Sequence, residues 1–171
     1  MPERMPITRP ELVQFLRQVP LLTAASISPE GAPQAALLGA AVGDDLEIVF
    51  DTLDTTRKFR NLRRDPRIAL VFGKAGGYTF GKQDERTLQY EGIVEIPAGD
   101  DLKRAQALYF GLFPEGRDRL AWPHITYVRA RPAWIRYSDY NVNPPVIGEL
   151  GGDRLQRWLR GTSSLKSGEQ H

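Results

Sequence analysis

Cysteine is absent from the 171-residue sequence, and histidine occurs only at positions 124 and 171. Disulfides, thiol nucleophiles and cysteine-ligated metals are thereby excluded, which agrees with a reducing compartment. His124 stands alone and His171 ends SSLKSGEQH, a tail that reads as frayed, so no histidine-based metal centre is expected. No run approaches the roughly 20 apolar residues of a spanning helix. The start, MPERMPITRPEL, lacks the apolar core of a secretory signal, so the expected setting is cytoplasmic, with no membrane partner. Charge of one sign is also lacking: the formal net charge is +2, and the sequence pI of about 9.0 reflects a weak excess. Nucleic-acid binding would need that excess to cluster with stacking aromatics, and only Phe59 interrupts the basic run, so no nucleic-acid partner is expected. What is present is ordinary for a soluble globular chain: 41% hydrophobic and 26% charged residues, at a length suited to one domain over residues 1–171.

The apolar pattern predicts a short helix from Pro10, with Leu12, Phe15, Leu16 and Val19 on one face, Thr8 as N-cap and Pro20 as the stop. LLTAASIS, PQAALLGAAV and LEIVF follow as antiparallel strand candidates, separated by turns at Pro29-Glu30-Gly31 and Gly43-Asp44-Asp45. IALVF reads as a strand buried on both faces. GKAGGYTFGKQDER reads as an exposed flap over residues 73–86, and TLQYEGIVEIP as a further strand. A helix is predicted from Asp100 to Phe110, with Leu102, Ala105, Ala107 and Leu108 on its apolar side. HITYVRAR and AWIRYSDY read as two strands parted by Arg131-Pro132. NVNPPVIGELGG reads as loop, and DRLQRWLR as a terminal helix carrying Leu155, Trp158 and Leu159. The fold expected is mainly β (α+β), a barrel of six to seven antiparallel strands with two to four peripheral helices. Connections this short rule out a parallel arrangement of the opening strands.

The chemistry concentrates at Val49 to Lys58, where a buried strand runs directly into a helix N-terminus rich in hydroxyls and cations. Unpaired N–H groups give such an end a partial positive charge, so Arg57 and Lys58 in the first turn are locally unfavourable unless an anion sits nearby. Arg57 offers two parallel donors, Lys58 a compact charge, and Thr55 and Thr56 hydroxyls. The alternative is that Asp54 or Thr55 only caps the helix, and that the six basic residues from Arg57 to Arg67 form a solvated face. Spacing alone leaves the two readings open.

The run IVFDTLDTTRKFRNLRRDPRIALVF resembles the FMN-binding core of the pyridoxamine 5′-phosphate oxidase-like split-barrel family: a strand, a threonine, a Ser/Thr-Arg-Lys group, then Asn-Leu and Asp-Pro-Arg before another strand. With PEGAPQAALLGAAVGDD, TLQYEGIVEI and RARPAWIRY, the resemblance covers residues 10–140, leaving 141–171 as loop, short helix and tail. It implies a homodimer with FMN at the subunit interface. Arg57 and Lys58 would bind the phosphate together with Thr55 and Thr56. Thr52 and the backbone around Phe50 and Asp51 would line the flavin, and the strand Ala36, Leu37, Leu38, Gly39 would approach the ring. Gln89 would reach in from the partner strand, and Trp134 and Arg136 across the interface. Tyr78, Asp84, Glu85 and Tyr90 are candidate pocket residues without an assigned catalytic role. The expected function is that of a flavin oxidoreductase, with a flavin carrier or sensor module, or a deazaflavin-dependent reductase, as alternatives. Two departures argue against vitamin B6 oxidation itself: PQAALLGAAV carries no basic residue, and the tail has no counterpart to the Arg and His that bind the vitamin phosphate.

Overall fold

The computed structural model describes residues 5–19, 21–73 and 84–161. The chain begins with α1 (Arg9–Arg17), which the sequence sets up at its first residue: Thr8 accepts from the Glu11 amide while the Glu11 carboxylate takes the Thr8 amide, a reciprocal cap. Leu12, Val13, Phe15 and Leu16 are then buried on one face. Strands β1 (Leu22–Ile27) and β2 (Pro33–Leu38) form a hairpin. Gly31 lies in its turn at φ 82°, a conformation that glycine adopts without steric cost. After β3 (Ala41–Val42) and β4 (Ile48–Leu53) comes α2 (Arg57–Arg64), followed by β5 (Arg67–Gly73), β6 (Arg86–Glu95), α3 (Gly99–Leu112) and a 3₁₀ helix (Pro114–Ala121). β7 (Ile125–Asp139), β8 (Val146–Gly151) and α4 (Gly152–Arg160) complete the described chain.

All strand pairs are antiparallel in one sheet ordered β2-β1-β5-β6-β7-β4-β3, with β8 added to β7. The sheet curls into a half-barrel, so the mainly β, split-barrel expectation holds. It has eight strands among the described residues instead of six to seven, with four α-helices and one 3₁₀ helix. The inner face is a continuous apolar cluster: Ile48 and Phe50 from β4, Leu70 and Phe72 from β5, Leu88 and Tyr90 from β6, closed by α1 and by Leu155 and Leu159 of α4. A second cluster lies on the outer face, where Tyr109 and Phe110 of α3 cover Val49 and Tyr127. No helix among the described residues is long and apolar enough to cross a membrane.

The structure corrects several expectations. HITYVRAR and AWIRYSDY are one strand, β7, because the missing N–H of Pro132 coincides with a register shift. Gly92 pairs with Pro132 and Glu91 with Trp134, leaving Ala133 as an extra residue that absorbs the interruption. PQAALLGAAV divides at Gly39-Ala40 into β2 and β3. IALVF is buried on one face only: Ile68, Leu70 and Phe72 point inward, while Val71 is exposed on an uncovered outer face. NVNPPVIGELGG holds a strand, β8, paired to the far half of β7. Ala107 is exposed on α3, where Tyr109 and Phe110 do the burying. Pro20, most of the flap over residues 73–86 and the terminal SSLKSGEQH lie outside the described residues.

Candidate functional site

Along β4 the side chains alternate: Ile48, Phe50 and Thr52 face inward, and Val49 and Asp51 face the side covered by α3. The strand ends at Leu53, and the chain turns into α2 through Thr56. Neither Asp54 nor Thr55 caps the helix. Thr56 does, accepting from the Phe59 amide at 3.4 Å, because its extended backbone aims the hydroxyl back at the first turn. The same hydroxyl donates to the Leu53 carbonyl at 2.9 Å and lies 3.2 Å from the buried Thr52 hydroxyl. Thr55 is exposed.

The other end of α2 is fastened to the sheet. Buried Asn61 donates to Ser26 at 3.1 Å and to Gln34 at 2.7 Å, and Arg64 donates to the carbonyls of Ile27 and Ser28 at 2.8 and 2.6 Å. Helix α2 is thus anchored by its C-terminal half and presents its first turn. That turn contains no acid. Among the described residues neither Arg57 nor Lys58 has a hydrogen bond or an ion pair. Arg57 is exposed beside a shallow cleft of about 260 Å³ shared with Glu30, Gln34 and Arg60. Lys58 is half-buried, and that burial lowers its pKa, with the charge of Asp51 acting in the opposite direction.

Asp51 is engaged on the α3 side. It accepts from the Tyr109 hydroxyl at 2.9 Å and from Arg119 Nε at 2.6 Å, while Arg119 Nη2 donates to the Tyr109 oxygen at 2.9 Å. Burial, and then the Asp51 charge, raise the Tyr109 pKa, so the phenol stays a donor. Tyr127, opposite Asp51 in the β4–β7 register, buries a hydroxyl with no partner among the described residues. No local sequence pattern marks this cluster, since Tyr109 and Arg119 stand 58 and 68 residues beyond Asp51. Asn61, a polar residue between apolar Phe59 and Leu62 on a short helix, was a readable sign of the anchor.

Thr52, Thr56, Arg57 and Lys58 therefore come together. The remaining candidates divide. Phe50 is fully buried in the inner core, leaving only its backbone for a ligand. Ala36 and Leu38 sit on the inner side of edge strand β2, and Leu37 is exposed on the outer side, in register with Thr23 and, beyond it, Val71. Gln89 is exposed on that outer face between Val71 and Arg136, and Trp134 lies beside it opposite Glu91. Tyr90 is not a pocket residue: it is in the inner core, its hydroxyl donating to the carbonyls of Leu46 and Ala130 at 3.2 and 3.1 Å. Asp84 holds Arg86, Glu85 is an exposed residue whose amide donates to Asn141, and Tyr78 lies outside the described residues.

A profile of the pyridoxamine 5′-phosphate oxidase family matches residues 8–138. The pyridoxine/pyridoxamine 5′-phosphate oxidase of Bordetella pertussis is 28% identical over 155 residues, spanning 84% of this chain and 69% of that protein. Among solved structures, a heme binding protein from Mycobacterium smegmatis superposes with a TM-score of 0.68 at 19% identity, over 87% of this chain and 61% of that one. This chain thus spans less than two thirds of the mycobacterial protein. A pyridoxamine 5′-phosphate oxidase-related, FMN binding protein from Nostoc punctiforme superposes with a TM-score of 0.60 at 12% identity, over 88% of this chain and 99% of that one. At such identities the structural likeness carries the fold.

Proposed function

This chain belongs to the pyridoxamine 5′-phosphate oxidase family, and on that premise we propose that it is an FMN-binding oxidoreductase, with residues 10–140 as its cofactor-binding unit. The observation that carries this reading is the pair of cations, Arg57 and Lys58, without a hydrogen bond or ion pair among the described residues, on a helix whose first turn contains no acid. Both cations and the backbone N–H groups repel one another there, and a dianionic phosphate relieves the repulsion. Arg57 and Lys58 hold the phosphate, with Thr55 at the exposed rim. Thr56 and Thr52 fix the turn. The backbone of Phe50 and Asp51 and the stretch Ala36–Gly39 border the flavin. When bound, the flavin supplies hydride and electron transfer to a small molecule, and the protein supplies position and electrostatics.

Homodimerisation belongs to the same reading. In one protomer Thr52 faces the inner side of the sheet and Gln89, Trp134 and Arg136 the outer side, so a ligand shared between them needs a second copy to bring them together. The outer face suits such packing. It exposes Leu37, Val71 and Ile93 and contains a shallow, mostly apolar cleft of about 400 Å³ at Ala25, Ala69 and Ala133. A cytoplasmic setting completes the proposal.

Absorbance and fluorescence during FMN titration test the cofactor, with Arg57→Ala/Lys58→Ala expected to lose it. A colourless protein indifferent to FMN would sink the claim. Light scattering should give a dimer, and a strict monomer at micromolar concentration contradicts the shared site. Reoxidation of photoreduced holoprotein by quinones and nitro compounds faster than that of free FMN identifies an enzyme. Uniformly slow reoxidation identifies a carrier module.

Haem binding is a second reading, favoured by His124. Its Nδ1 lies 3.0 Å from Asp54 Oδ1 and its backbone is held at φ 68°. An imidazole fixed by a carboxylate through one nitrogen presents the other to a metal. Haemin titration followed at the Soret band tests it, with His124→Asn as the control, because asparagine tolerates positive φ.

A further inference from the structure

The Asp51 carboxylate is the acid whose charge Lys58 feels, yet it does not pair with Lys58. Its two oxygens are taken instead, Oδ1 by the Tyr109 hydroxyl and Oδ2 by Arg119 Nε, and Arg119 also holds Tyr109, closing a triangle of three hydrogen bonds. The triangle is largely sheltered, with the Asp51 and Arg119 side chains 16% and 24% exposed. Sheltering strengthens such charge-assisted bonds and fixes the carboxylate on the α3 side of β4. Lys58 is half-buried and has no hydrogen bond or ion pair among the described residues.

We propose that Tyr109 and Arg119 are positioning residues for the anion grip: by occupying both oxygens of Asp51 they keep that carboxylate from pairing with Lys58, and so keep Lys58 available to a phosphate group. This rests on the reading of Arg57 and Lys58 as the phosphate site. If Arg119 is removed, the charge of Asp51 is no longer cancelled on its own side, and Lys58 is an uncommitted cation that already feels that charge. A carboxylate held within the chain then competes with the incoming phosphate. A purely architectural triangle, which only fastens the α3 and 3₁₀ segment to β4, makes the opposite forecast for a double substitution. Removing a second member could not restore what the loss of the first had damaged.

FMN affinity, read by fluorescence quenching, is measured for the wild type, Arg119→Gln, Asp51→Asn and the double variant. Arg119→Gln should bind FMN roughly tenfold more weakly than the wild type, and adding Asp51→Asn to it should bring the affinity back to within about twofold of Asp51→Asn alone. Wild-type affinity in Arg119→Gln, or a double variant as weak as Arg119→Gln, overturns the proposal. Tyr109→Phe, with and without Asp51→Asn, repeats the cycle at a smaller amplitude of about threefold and decides the matter if Arg119→Gln does not fold. Inorganic phosphate, titrated calorimetrically against the same variants, separates the two ideas. A protein that takes phosphate but not FMN ends the flavin reading, and the phosphate cycle then decides the positioning role by the same criteria. A wild type that binds neither ends both.

Discussion

The two sides of β4 use cations in opposite ways. On the α2 side, Arg57 and Lys58 have no partner among the described residues, in a first turn where positive charge is disfavoured. On the α3 side two arginines are spent on carboxylates: Arg119 on Asp51, and buried Arg129 on Glu95 at 2.8 Å and Asp101 at 2.5 Å. Paired guanidinium groups hold α3 and its 3₁₀ extension against the sheet, whereas the cations in the first turn of α2 are the ones proposed to hold a ligand. The difference is one of placement and not of composition, since both sides draw on the same residue types.

The largest expected effect comes from erasing the unpaired side. Arg57→Ala/Lys58→Ala should weaken FMN binding by roughly a hundredfold or more, because charge-assisted contacts to a phosphate are lost. The unliganded protein should keep its stability within about 0.5 kcal/mol. Loss of stability with FMN affinity intact would reverse the assignment of the two sides. Arg129→Met should do the converse, destabilising the fold by about 1 to 3 kcal/mol in denaturant melts with FMN affinity unchanged. Its half-exposed carboxylate partners can regain water, which keeps the loss below that of a fully buried pair. Thr56→Ala belongs between them. Losing the cap costs about 1 kcal/mol, and a loosened first turn should also weaken FMN binding by a few-fold, so a change in only one of the two readouts would show that cap and grip are separate.

The smallest effect is in acid. Hydrogen bonds from Arg129 hold the Glu95 and Asp101 carboxyls below the usual range. Because their folded pKa values lie under the unfolded ones, their contribution is complete above the unfolded value of about 4 and drains away as pH falls below it. The melting temperature of the wild type should therefore drop more steeply between about pH 5 and pH 3 than that of Arg129→Met. Parallel slopes would remove Arg129 as the cause.

Much of the unpaired side was legible in the sequence, because it is local. The strand, the hydroxyls, the cations and the helix stop all fall between Val49 and Pro66, and hydrophobic period and helix-end chemistry act over that range. The cap was displaced by one residue, to Thr56, since consecutive threonines present the same chemistry and only backbone geometry chooses between them. The paired side was not legible: Asp51, Tyr109 and Arg119 meet only once α3 has packed on β4, and nothing in their local sequence records it. The same limit explains β5, whose unbroken IALVF cannot say which face another element will cover. It also explains β7, where a proline signal for a strand break was overridden by a bulge.

The fifteen-residue length of β7 has a consequence in time. One of its edges carries β6 from Arg129 to Asp139, and the other carries β4 along its first half and β8 along its second. During synthesis β1, β2, β5 and β6 can pair as neighbours, but β4 waits for a partner more than 70 residues downstream, at the Leu53–Ile125 end of the pairing. Until β7 emerges, β4 and β6 present bare hydrogen-bonding edges above a forming apolar face, the condition under which nascent chains stick to one another. Closing the half-barrel is therefore the late, non-local event of folding. A ribosome stalled before Ile125 would leave a chain already collapsed and still open along both of those edges.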